Sequence, residues 1–352
     1  MLTSKYKSIF IFLALFIAAN AHAEWPERPI TLVVMYAPGG GTDTILRTLA
    51  NEMSAVTGWR INVVNRAGAA GALATQYVLN RNNDGYTLLG ASNFNKYARV
   101  SGGGNSKPWE DWYFMQAASN IGSWAVLPNS PFKNIEDVIR AAQERPGEIT
   151  ISTSGAGGQW HEFAASVAKF LGIELRYVPY GSGRQATLAG LNGEVDIAGG
   201  GIHEHIQFFD VGQLVPLMQT SQDDVISSRG VVLPSIFNLT SMREDEIPPN
   251  GSYNLGVRRD TPIEVIKKIE DAFLLAISTE NFKEILRTRN FIEDSLVGMA
   301  ADRRAAQLEV ISATTFVELG IPEARTPEEL GLPSPEDFID WWPPATYTPL
   351  QN

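Results

Sequence analysis

The chain has 352 residues, with 28 basic against 39 acidic side chains, a formal net charge of −11 and no cysteine. The missing cysteine excludes disulfides, thiol nucleophiles, cysteine metal ligands and a lipid-modified cysteine anchor in one step. An acidic chain without a basic run is a poor binder of nucleic acid or of an anionic membrane, so an anionic ligand would have to be captured by local geometry.

Residues 1–23 read as a signal peptide. Lys5 and Lys7 make a basic start, residues 9–19 are apolar, and Ala21-His22-Ala23 is a small-residue cleavage site. Cleavage after Ala23 would export the protein to a periplasm and take the basic count from 28 to 26, and the net charge from −11 to −13. The length that remains favours two domains over one.

The mature chain begins with the pattern of a parallel sheet. Strands are expected at 30–36, 60–65 and 86–91, and helices at 43–56 and 72–79. The most informative stretch is Ile30-Thr-Leu-Val-Val-Met-Tyr-Ala-Pro-Gly-Gly-Gly-Thr-Asp43, a β-branched run stopped by proline and glycines and followed at once by an amphipathic helical pattern. A strand, a tight loop and a helix start in that order leave backbone N–H groups without intrahelical partners at the positive end of a helix dipole. Such a junction can seat a carboxylate or a phosphate. Gly102-Gly103-Gly104 and a tryptophan-containing stretch then interrupt the pattern.

A second unit follows, with strands expected at 124–127, 149–153, 175–180, 195–198 and 214–219, and helices at 135–143, 159–171 and 184–191. It repeats the junction at Glu148-Ile-Thr-Ile-Ser-Thr-Ser-Gly-Ala-Gly-Gly158. Residues 221–252 are polar and read as loop-rich, and a strand is expected at 253–257. Thr261 and Glu264 form a capping-box pair with Pro262 at the first helical position. Helical spacing continues through Ile277 and returns at 281–287 and 300–319. The last stretch, 321–352, holds seven prolines and reads as a tail with little regular structure.

The candidate ligand residues lie at strand ends. They are Pro38, Gly39, Gly40, Gly41, Thr42 and Asp43 in the first loop, Ser92 and Asn93 after the third strand, and Thr153, Ser154, Gly155, Gly157 and Gly158 in the second loop. Three successive glycines exceed what one turn needs. Asp43 suits a helix cap better than a ligand contact. The mature histidines, His161, His203 and His205, follow strand ends on the side where open α/β sheets bind ligands. His203 and His205 face the same way on an extended segment and diverge on a helix. No H-E-x-x-H spacing occurs, and no metal, cofactor or catalytic residue is assigned. Trp124 and Trp160 either stack on a ligand or pack a core. Arg66 and Arg184 either neutralise a second carboxylate or pair within a lobe.

Through these motifs the chain resembles the substrate-binding proteins of tripartite tricarboxylate transporters, the Bug-type family. The likeness runs from Trp25 to about Gly320. It rests on Trp25-Pro-Glu-Arg-Pro-Ile30, Ala37-Pro-Gly-Gly-Gly-Thr-Asp43, Asn65-Arg-Ala-Gly-Ala-Ala-Gly71 and Asp84-Gly-Tyr-Thr-Leu-Leu89. Ser154-Gly-Ala-Gly-Gly158, Val178-Pro-Tyr-Gly181 and Gly193-Glu-Val-Asp196 follow in order.

The resemblance implies an α/β, two-lobed periplasmic-binding-protein fold (type II-like), with two mixed sheets flanked by helices, a hinge and an interlobe cleft. Lobe 1 would hold 24–120 and 221–320, lobe 2 would hold 121–220, and the crossings would fall near Ile121 and Thr220. It implies a small organic acid gripped by the two glycine loops, membrane permease subunits as partners, and a monomer. One departure concerns Ala198-Gly199-Gly200-Gly201. Several family members carry an acid shortly after this strand, where it can hold a ligand amine, and the run here has none. That makes an amino-acid ligand unexpected and leaves room for a bulkier acid.

The expected function is therefore capture of a small organic anion in the periplasm for a tripartite carrier. The alternative is a sensing module that signals to a membrane receptor kinase, for which the same fold and ligand would serve. Enzymatic rivals lack their motifs, since neither G-x-G-x-x-G nor G-x-S-x-G occurs at a strand end.

Overall fold

The computed structural model describes residues 25–242, 250–321 and 323–350. The signal-peptide assignment at 1–23 lies outside them. The first half follows the expected alternation: β1 (Ile30–Val34), α1 (Gly41–Thr57), β2 (Ile61–Asn65), α2 (Ala72–Leu79), β3 (Thr87–Ser92) and a short α3 (Lys96–Val100). β4 (Trp112–Ser119) occupies the stretch read as an interruption. All eight of its residues are buried, so it shows no polar alternation to mark it as a strand.

The chain then crosses to a second unit. This contains β5 (Gly122–Val126), α4 (Ile135–Glu144), β6 (Thr150–Ser154), α5 (Gln159–Phe170), β7 (Arg176–Tyr180), α6 (Gly183–Leu191), β8 (Ala198–Gly201), α7 (Ile202–Asp210) and β9 (Val215–Gln219). The stretch read as loop-rich carries β10 (Val225–Ile226), β11 (Val232–Leu233) and α8 (Ile236–Leu239). Leu233, Ile236 and Met242 are buried in the clusters of the second sheet, which moves this stretch from the first lobe, where it was expected, onto the second. A few apolar anchors within a polar run suffice for that.

β12 (Ser252–Arg258) returns to the first sheet, followed by α9 (Ile263–Ser278), α10 (Glu280–Arg289) and α11 (Gly298–Glu318). α9 begins one residue later than expected, with Pro262 rather than Thr261 as its N-cap. The Pro262 carbonyl accepts from the N–H groups of Val265 and Ile266. The tail holds two further turns of helix, α12 (Pro327–Leu330) and α13 (Phe338–Trp341). Leu330, Leu332 and Phe338 are buried with Tyr97, Trp109 and Phe316, so this proline-rich segment is anchored on the first lobe.

The first sheet has the order β2-β1-β3-β12-β4, with β1, β2 and β3 parallel and β12 antiparallel to both neighbours. One face packs on α1, α9 and α10 through Leu46, Leu49, Ile269, Phe273 and Phe282. The other packs on α2 and α11 through Val78, Ala301 and Leu308. In the second unit β8-β5-β9 and β6-β7 form two ladders, joined by the bridge between Ile151 and Ile197. The arrangement is two-lobed α/β, with mixed sheets flanked by helices. At the crossing, Asn120 N–H donates to Gly251 O at 2.8 Å and Gly122 N–H to Thr220 Oγ1 at 2.9 Å, so the outgoing segment is tied to two others there.

Candidate functional site

The first glycine loop joins β1 to α1, whose N-cap is Gly40 in extended conformation. Gly39 has φ +86°, a conformation side chains rarely adopt. Asp43 turns back from the first helical turn and accepts from Gly39 N–H at 3.0 Å, Asn65 Nδ2 at 2.8 Å and Arg47 at 2.6 Å. Burial alone would raise the Asp43 carboxyl, but these three donors hold it below the usual carboxylate range. Asn65 also donates to Tyr36 O at 2.8 Å. Asp43 and Asn65 therefore brace the loop.

The second loop joins β6 to α5, with Gly155 and Gly157 at positive φ. Gly157 N–H donates to His161 Nδ1 at 2.9 Å, and the His161 ring lies 4.6 Å from that of Tyr177. Burial lowers the His161 pKa, with Glu162 pulling weakly the other way, so the neutral ring serves as an acceptor that braces the loop. The loop abuts the opposite lobe: a Cβ on Gly158 would lie 3.1 Å from Tyr36 Oη, and one on Gly157 would lie 3.5 Å from Phe316.

Between the lobes lie two adjoining chambers. The inner one is lined from lobe 1 by Tyr36, Gly40, Gly41, Thr42, Ser92 and Tyr253. Ser154, Gln159, Trp160, Ser182, Gly183 and Glu204 line it from lobe 2. The Tyr36 hydroxyl is buried and has no hydrogen-bond partner among the described residues. Burial raises its pKa far above the phenol range, so it is a protonated donor.

The outer chamber includes Gly39, Arg184, His203, Arg289 and Phe291, and shares Gly41 and Glu204 with the inner one. His203 is 4 % exposed, stacks on Phe291 at 4.4 Å, and lies 3.2 Å from Tyr253 Oη and 3.6 Å from Glu204 Oε1.

Glu204 corrects the reading of this strand end as free of acid. The run Ala198–Gly201 carries no carboxylate, but one turn into α7 the Glu204 side chain folds back and accepts from Gly201 N–H at 3.1 Å. It lies against Gly183 so closely that a Cβ there would be 1.8 Å from Oε1. Burial would raise its pKa, but His203 and the Gly201 N–H outweigh that and hold it below the usual range. The sequence signal is glutamate at the third position of a helix after a glycine run.

Of the other candidates, Gly39, Gly40, Gly41, Thr42, Ser92, Ser154, Arg184 and His203 reach the chambers. Pro38 is exposed at the loop tip. Asn93 instead accepts from Ser252 N–H at 2.8 Å and donates to Tyr97 Oη at 2.7 Å, and Thr153 is fully buried. α7 begins at Ile202, so His203 and His205 diverge. His205 is buried against Ser123 Oγ at 2.7 Å, and burial pushes its pKa down to about 4. Trp124 and Trp160 both belong to the core of the second lobe, and Trp160 also lines the inner chamber. Arg66 lies over the Tyr77 ring, away from the chambers. Tyr36, Gln159, Ser182, Tyr253, Arg289 and Phe291 are lining residues absent from the sequence-based set.

A two-lobed α/β molecule with helix N-termini facing one cleft defines the class of periplasmic binding folds, and known proteins agree. Residues 45–335 match the tripartite tricarboxylate transporter family receptor, and the chain belongs to that family. It is 26% identical over 274 residues to the UPF0065 protein in the gbd 5' region of Cupriavidus necator, covering 76% of this chain and 80% of that one. Among solved structures it is similar to periplasmic binding protein BugD, with TM-score 0.75, 21% identity, and coverage of 85% and 99%. It is also similar to R. palustris Rpa4515 with adipate, with TM-score 0.73, 20% identity, and coverage of 85% and 99%. Among the described residues no helix is long and apolar enough to cross a membrane.

Proposed function

We propose that this protein is a periplasmic solute-binding receptor that takes a small organic acid between its lobes and presents it, as a monomer, to the membrane subunits of a tripartite carrier. The observation that carries the reading is the inner chamber. There the N-terminus of α1 and the unpartnered Tyr36 hydroxyl face Ser154 and Ser182 of the other lobe. Backbone N–H groups, a protonated phenol and serine hydroxyls are the donors a carboxylate requires once water is excluded. Family membership and the adipate held by the R. palustris relative support the same class of ligand.

A thermal-shift screen of the mature chain against organic acids, amino acids and sugars tests it. An acid at a hundred times its Kd adds about 2.7 kcal/mol of stability. A response confined to sugars, or a flat response to every acid, would overturn the reading.

A further inference from the structure

The short helix α3 stands between the second lobe and the C-terminal tail. Three residues in succession before it, Asn93, Phe94 and Asn95, hold positive φ, a region that side chains rarely adopt. A single turn of helix reached through such backbone cannot keep its own place, so its packing must. On one side Lys96 and Tyr97 meet Glu162 of the second lobe at 3.3 Å and 2.8 Å. On the other side stands the tail. Arg99 donates to Leu330 O and to Glu309 at 2.9 Å, and Val100 O accepts from Arg325 N–H at 2.9 Å. Leu330, Leu332 and Phe338 share one buried cluster with Tyr97, Val100 and Phe316. The same patch meets the second glycine loop: a Cβ on Gly157 would lie 3.5 Å from Phe316 and 3.8 Å from Ser101, the residue that ends α3.

We propose that residues 323–341 form a strap that positions α3 for closure on the ligand, with Arg99 as the positioning residue that ties the two together. This rests on the organic-acid reading above. Closure brings the second lobe against α3, and Glu162 finds its partners only where the strap has fixed Lys96 and Tyr97. When the strap gives way α3 drifts, the buried carboxylate meets its cation imperfectly, and the closed form is lost first. A tail that merely covered apolar surface would account for Leu330 and Phe338. It would not call for a guanidinium, 5% exposed, that joins Glu309 of α11 to a tail carbonyl.

The test uses the full mature chain. Phe338→Ala loosens the strap at a residue that lines neither chamber, and Arg99→Gln cuts the tie itself. Hydrogen exchange without ligand should quicken at the Ser101 and Gly102 amides, which donate to Tyr97 O and Arg99 O, while β1 and β3 keep their protection. Titration calorimetry follows, with the acid that gives the largest thermal shift from a panel including adipate, well below each protein's melting temperature. Phe338→Ala should bind roughly tenfold more weakly than wild type. In a Lys96→Met, Glu162→Met background, where the cross-lobe pair is gone, the same change should alter affinity by less than about twofold. Phe338→Ala leaves Arg99 and the pair intact and carries the test if Arg99→Gln does not fold. Unchanged exchange at α3 overturns the strap, with or without a ligand. So does wild-type affinity in Phe338→Ala, or an equal loss in both backgrounds. A wild type that binds no acid overturns the organic-acid reading instead, and the exchange result still judges the strap.

Discussion

Lys96 and Glu162 meet across the two lobes, with Nζ 3.3 Å from Oε2 and both side chains 2% exposed. Tyr97 Oη donates to the same carboxylate oxygen at 2.8 Å, and Ser312 Oγ donates to the other. Glu162 belongs to α5 just after the second glycine loop, whereas Lys96, Tyr97 and Ser312 belong to the first lobe. If the lobes separate, both charges regain water. If they close, the pair must form or leave a buried charge alone. Losing one partner of a buried pair costs about 3–5 kcal/mol. Glu162→Gln should therefore weaken ligand binding by roughly a hundredfold or more, with a larger radius of gyration by small-angle scattering in saturating ligand. Replacing both partners by methionine should recover part of the loss. A Glu162→Gln protein that closes and binds normally would remove this pair from closure.

The pH dependence of stability carries two buried groups of opposite sign. His205 is pushed down to about 4 by burial, so the unfolded chain binds a proton that the folded one refuses between about 4 and the ordinary histidine value of 6.5. Its contribution is present above 6.5 and is lost as pH falls through that window. Glu309 is pushed up to about 7 by burial, with Arg99 at 2.9 Å only partly offsetting this. The folded state then holds a proton that the unfolded state releases, so this contribution is lost as pH rises from about 4.5 to 7. In the wild-type slope these two contributions oppose each other. His205→Gln should make stability fall more steeply with rising pH across this window, and Glu309→Gln should make it rise, by up to about 1.4 kcal/mol per pH unit. Urea unfolding at several pH values reads the slopes, and parallel profiles for all three proteins would contradict both assignments.

How much of this is legible in the chain depends on how local the signal is. Both glycine loops announce themselves, because a β-branched run, a glycine run and an amphipathic period lie within some fifteen residues of each other. β4 does not, since a strand buried on every residue loses the alternation that identifies it. Nor does Glu204. Its role depends on α7 starting at Ile202, which turns the acid and not His205 toward the cleft. Arg289 and Phe291 reach the outer chamber from the end of α10, a juxtaposition made only by the tertiary fold. The anchored tail was hidden by its prolines, which limit long helices but leave Leu330 and Phe338 free to bury themselves.

Glu204 sets a condition on the ligand. Its buried carboxylate borders both chambers, so a bound acid meets a like charge unless it offers a donor there. Glu204→Gln should tighten binding of plain alkyl acids by roughly tenfold and weaken binding of acids that carry a hydroxyl or amino group beside the carboxylate. Paired titrations of one plain and one hydroxylated or aminated acid decide it. Equal changes for the two would show that Glu204 faces the protein alone.

Gly40 isolates the closure step from folding. A Cβ at Gly40 would meet Ser182 Cβ at 3.2 Å, Gly183 N at 3.5 Å and Glu204 Oε1 at 3.6 Å, and all three belong to the opposite lobe. Gly40 itself is an extended N-cap at φ −79°, which any residue adopts, so the first lobe has no conformational reason to require glycine there. The γ-methyls of valine would reach further than the Cβ and into Ser182 and Gly183, an overlap that overpacks the closed interface. Gly40→Val should therefore retain the unliganded melting temperature within a few degrees while losing at least a hundredfold in acid affinity. Gly157→Val provides the contrast. Its positive φ strains any side chain, so its unliganded stability should fall as well. Wild-type affinity in Gly40→Val would show that the first loop does not close on the second lobe, and would sink the two-loop account of the site.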